Sequence, residues 1–129
     1  MHITFKERDI ELSFGLRTLT EIDRSLGLEV ESVSLGQGLE TMLAPGLQSG
    51  NVICLYKLIK AATAHDKNPP KTDAEFEAIL DDIADDEGLE EFGAQVMGEL
   101  GKRPMTRNLV PEKYQELKKV KKESKPKAV

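Results

Sequence analysis

Tryptophan is absent from this chain of 129 residues, tyrosine occurs twice and phenylalanine four times. The core must therefore come from Leu, Ile, Val, Ala and a few Phe. That Leu-rich, aromatic-poor composition favours helices over a β-sandwich. Cysteine occurs once, at Cys54, so no disulfide can form within the chain. Its place in the apolar run VICLYKLI reads as a small buried hydrophobe. Long apolar runs are missing too: none reaches the ~18 residues that a membrane span needs. The opening MHITFKERDIEL lacks the apolar stretch of a signal peptide. These absences lead to the expectation of a soluble intracellular protein with no membrane partner.

Charge is plentiful, and it is divided unevenly. Residues 1–101 carry 20 Asp/Glu against 8 Lys/Arg, a net of −12, and residues 102–129 carry 10 Lys/Arg against 3 Asp/Glu, a net of +7; the two sum to −5. An acidic body of 1–101 is expected to hold the fold. A basic tail of 102–129 offers few apolar groups to a core, so truncation after Gly101 is expected to leave the body intact. The length suits one domain, since a chain of this size can bury roughly two-thirds of its unfolded surface.

Residues 3–14, ITFKERDIELSF, alternate apolar and polar on either side of a charged KERD, which predicts a short β-hairpin. Leu16, Leu19, Ile22 and Leu26 then share a helical face, with Gly27 placed to end the helix. After an irregular connector with Gly36 and Gly38, a short helix is expected around Leu39–Ala44, stopped by Pro45 and Gly46. Asn51 is placed to cap the strongest apolar helix, 51–64, with Val52, Leu55, Tyr56, Ile59 and Ala62 inward. HDKNPPK breaks it. Thr72 and Glu75 form a capping box for a helix striped by Phe76, Ile79, Leu80 and Ile83. DDEG interrupts, and a last core helix near 89–100 faces Leu89, Phe92, Val96 and Leu100 inward. Pro111 can open one further amphipathic helix with Val110, Tyr114, Leu117 and Val120 at helical spacing, before a disordered KKESKPKAV. The predicted fold is mainly α: a small domain of about four to five helices with a short N-terminal β-hairpin and a basic, partly disordered C-terminal tail.

Chemistry-bearing constellations are few. Setting Gly88 at the glycine of an EF-hand loop puts Ile83 where the first carboxylate belongs, so the acidic run 81–91 reads as a solvated helix face and turn. His2 and His65 have no His, Cys or carboxylate partner at metal-ligand spacing. GQG at 36–38 lacks the Lys-Ser/Thr of a phosphate loop. No Ser or Thr is marked as a nucleophile beside a base. The expectation is no enzyme, no metal and no cofactor. Nucleic acid is a poor partner, because the tail's one aromatic is Tyr114 and the body repels phosphates. A solubility tail and a protein-binding segment are the readings that stay open for it.

The order of pieces ELSFGLRTLTEIDRSLG, GLETMLAPGLQSGN, LYKLIKAATAHDKNPPKTDAEFEAILDDI and LEEFGAQVMGEL spans residues 11–100. In this order the chain resembles the tail assembly chaperones of long-tailed bacteriophages and prophages of Gram-positive bacteria. The resemblance implies a non-enzymatic helical protein of the host cytoplasm, absent from the mature virion. Its partner would be the tape measure protein, kept soluble while tail tube subunits polymerise around it. The major tail tube protein would be engaged mainly through a longer translational frameshift product, and Lys118-Lys119 and Lys121-Lys122 can be encoded by slippery A-rich codons. Homo-oligomerisation is left open. Candidate protein-binding anchors are Leu39, Met42 and Leu43 on the first short helix and Tyr114, Leu117 and Val120 on the tail. Core packing and an inert tail are their plainer readings. The competing functions are a structural head–tail connector or tail-completion protein, and a small helical adaptor or regulatory domain.

Overall fold

The computed structural model of the chain describes residues 1–26 and 43–115. Over these the protein is mainly helical, with the hairpin at its N-terminus, as the periodicities predict. Strand β1 (His2–Phe5) pairs antiparallel with β2 (Arg8–Glu11), Ile3 opposite Ile10 and Phe5 opposite Arg8. The two residues between them, Lys6 and Glu7, both have left-handed backbone, φ 51° and 62°. That turn matches the right-handed twist of the strands, at a conformational cost for residues with a Cβ.

Alternation turns Ile3, Phe5 and Ile10 to one face, and Leu12 and Phe14 continue into the core beyond β2. An isolated hairpin is marginal in water, and here it is tied down along its length. Ser13 N donates to the Ala62 carbonyl at 3.0 Å. The Arg8 guanidinium grips Asp66 at 2.7 Å and also donates to the Asn68 carbonyl at 2.8 Å. Lys6 meets Glu75 at 3.3 Å.

Helix α1 (Leu16–Leu26) buries Leu19 and Ile22 against α3 (Val52–Thr63). Leu16, expected on that face, is 69% exposed. At 100° per residue it stands about 120° round from Ile22, whereas buried Thr18 stands only about 40° from Ile22, on the side away from Leu19. The side chain of Asn51 accepts from the N–H groups of Ile53 and Cys54 at 2.9 and 3.0 Å, the expected N-cap of α3. Leu55, Leu58, Ile59 and Ala62 are completely buried, because α3 is covered by α1 and by the helices Ala44–Ser49 and Asp73–Asp86 on different sides. Val52 was expected inward but lies exposed in the first turn, where the stripe runs past the core.

Helix α2 (Ala44–Ser49) corrects the reading of Pro45 and Gly46 as a stop: Pro45 sits in the first turn, where its missing N–H costs nothing. The remainder of the helix expected at Leu39–Ala44 lies outside the described residues. Leu47 is fully buried, and α2 lies so close on α5 (Leu89–Lys102) that a Cβ at Gly93 would collide with the Leu47 carbonyl. Helix α4 (Asp73–Asp86) carries the complete capping box of Thr72 and Glu75 and buries Phe76, Ile79, Leu80 and Ile83. The Phe76 ring meets Tyr56 of α3 edge-on, centroids 5.1 Å apart.

The packed body does not end at Gly101. Beyond α5 the chain turns back along it through two single 3-10 turns, Arg107–Leu109 and Glu112–Tyr114. Thr106 and Val110 are buried, and the Thr106 hydroxyl donates to the Leu100 carbonyl at 2.7 Å. The Gln115 amide donates to the carbonyls of Arg107 and Val110 at 2.7 and 2.8 Å. Gly101 makes this return possible: a Cβ there would strike the Tyr114 carbonyl. Where an amphipathic helix was expected from Pro111, the described residues hold only the 3-10 turn ending at Tyr114.

Candidate interaction surface

The anchors proposed from sequence separate on the fold. Leu43 precedes α2 and is 1% exposed, so it belongs to the core rather than to an open surface. Tyr114 is half-buried against the core, with Lys113 Nζ 5.3 Å from its ring centroid. Leu39, Met42, Leu117 and Val120 lie outside the described residues. The large apolar side chains that do face solvent are Leu16, Val52, Ile53 and Met105, among the described residues.

Two grooves of opposite sign mark the surface. One lies between β1 and the α4–α5 turn, lined by Asp82, Asp85, Asp86 and Glu87 with His2 at its edge. These carboxylates stand on the outer face and end of α4, exposed, as the solvated-face reading expects. The other lies between α1 and α3. Arg17, Lys57, Lys60 and His65 edge it, and Tyr56, Ala61 and Ala64 give it an apolar lining. Lys57 and Lys60 could be placed on one helix from the sequence. Their juxtaposition with Arg17 depends on how α1 docks on α3, which no local pattern encodes.

Titratable groups with shifted affinity serve the fold. Glu75 accepts from the N–H groups of Lys71 and Thr72 at 2.7 and 3.1 Å, which with Lys6 holds its pKa down to about 2. Asp66 is likewise lowered, first by the Arg8 guanidinium and then by the Asn68 N–H. Burial pushes the Cys54 thiol up, keeping it protonated and a poor nucleophile at neutral pH. Among the described residues, no group of three or more His, Cys, Asp or Glu side chains is placed to hold a metal ion. No helix among them is long and apolar enough to cross a membrane.

These features define a small, mainly helical protein with an N-terminal hairpin tied to its helices and with charged grooves. The family model described as "Phage tail assembly chaperone protein, TAC" matches residues 2–113, nearly all of the described chain, and the protein belongs to that family. The family suggests a non-enzymatic role. No curated protein and no solved structure matches this chain.

Proposed function

We propose that this protein is a tail assembly chaperone that binds the tape measure protein in the host cytoplasm, keeps it soluble during tail morphogenesis, and helps recruit tail tube subunits. The observation that carries the reading is the family match over residues 2–113. Physical chemistry supports it. A long amphipathic helix waiting for its tube exposes an apolar stripe and aggregates. An acidic body bound along it adds net negative charge and opposes that aggregation. Many weak contacts along one long partner hold by avidity, so no single site has to be tight. Recruitment of the tail tube protein belongs to a longer frameshift product in this reading, and the protein leaves before the virion is complete.

Coexpression tests it. Tagged fragments covering the tape measure protein of the same phage should become soluble in the presence of this protein and bring it down in many copies. If every fragment stays insoluble and captures none of it, the chaperone reading fails. Mass spectrometry of purified phage should find no trace of this chain; its presence there would favour a structural connector.

A further inference from the structure

Within residues 1–101 there are 20 carboxylates for 8 Lys/Arg side chains, so a cation on this body is surrounded by potential partners. Lys6, Arg8 and Arg24 have each taken one, at 3.3, 2.7 and 3.0 Å from Glu75, Asp66 and Glu21. The other five, Arg17, Lys57, Lys60, Lys67 and Lys71, have no carboxylate partner among the described residues, and the first three line the α1–α3 groove. Lys57 Nζ is held by the Ser25 carbonyl at 2.8 Å, and Lys60 Nζ lies 5.7 Å from the Tyr56 ring centroid. Glu21, the acidic residue of this lining, is bonded to Arg24. The groove is thus a positive strip on a negative body, about 540 Å³ in volume.

We propose that this groove docks an acidic amphipathic helix of the partner, its carboxylates meeting Arg17 on one wall and Lys57 and Lys60 on the other. The inference rests on the chaperone reading and names the surface that reading leaves open. Two packed helices with alanines between them let a third backbone approach closely, the geometry of helix-in-groove recognition. Half-exposed Tyr56 supplies an aromatic anchor in the lining. Beyond about 8 Å at physiological salt the body's overall negative charge is screened, so the local positive strip decides which partner face docks. The chain's own tail has the groove's sign and does not compete for it.

The test uses the full chain, as wild type and as Arg17→Glu with Lys60→Glu, both exposed side chains whose replacement should leave the melting temperature unchanged. Each is coexpressed with overlapping tape measure fragments. Wild type should capture fragments of net negative charge, and the variant should capture them about tenfold less. Capture by wild type should weaken as salt is added. Replacing the captured fragment's exposed Asp and Glu by Lys should restore binding to the variant. Equal capture by both forms, or capture confined to basic fragments, overturns the groove while leaving the chaperone function standing. Loss of self-association in the variant with unchanged fragment capture also overturns it, assigning the groove to a second copy. If wild type captures no fragment at all, both readings fall together.

Discussion

Gly101 offers a perturbation whose sign depends on whether the C-terminal segment is docked. It lies near the end of α5, where replacing glycine by alanine would ordinarily stabilise the helix by up to ~1 kcal/mol. Here the new Cβ would strike the Tyr114 carbonyl, so the segment 103–115 must shift or detach. Detachment exposes Val110, 5% exposed in the fold, and breaks the Thr106 bond to Leu100. The methyl groups of Val110 contribute about 1.6 kcal/mol at ~0.8 per buried carbon, and the hydrogen bond about 1 kcal/mol. A shift short of detachment weakens these contacts without freeing the backbone, whose ordering costs ~1–2 kcal/mol per residue and is offset by the rest of the segment's contacts. Gly101→Ala should therefore destabilise the full chain by about 1 kcal/mol. Val110→Ala, which leaves the segment ordered, should cost about 1.6 kcal/mol, or about 6 °C in Tm for a chain of this size. The assay is thermal and urea unfolding of three lengths: the full chain, a chain ending at Gln115, and one ending at Lys102. The first two should melt together and the third lower. In the chain ending at Lys102, Gly101→Ala should become neutral or stabilising. A stabilising Gly101→Ala in the full chain, or identical melts for all three lengths, would refute the docked segment and restore a boundary at Gly101.

Two further predictions concern the hairpin and its clasp. Glu7→Gly relieves a left-handed residue in the β1–β2 turn and should stabilise the protein by about 0.5–1 kcal/mol, the αL cost less glycine's extra chain entropy; an unchanged or lower urea midpoint would contradict it. Glu75 is held at about 2 against an ordinary 4.5, so its contribution is complete above about pH 4.5 and is lost as pH falls toward 2. Glu75→Gln should accordingly destabilise the protein at pH 7 and flatten the stability profile between those limits, and a wild-type slope in the variant would show that other carboxylates carry the acid response.

Elements whose signals are local were legible in the amino-acid order alone. Asn51 and the Thr72–Glu75 box bond to backbone groups within three residues, so α3 and α4 were legible at their starts. The stripe of Phe76, Ile79, Leu80 and Ile83 was legible because one face of α4 is covered and the other is wet. The order of these pieces also carried the family. The direction in which a helix meets several neighbours had no such signal: Leu58 is buried and Leu16 exposed because of where α3 stands relative to the other helices. Pro45 reads equally as a stop or a first turn, and packing of Leu47 on α5 at Gly93 decided it. The candidate surface was tertiary in origin, since Arg17 and Lys60 are far apart in the chain and meet only across the α1–α3 groove. Charge balance identified an acidic body and a basic tail, but the return of residues 103–115 onto α5 depends on two things composition cannot weigh. One is a missing Cβ at Gly101; the other is a handful of buried groups, Thr106, Val110 and Gln115, whose hydrogen bonds and burial outweigh the polarity around them.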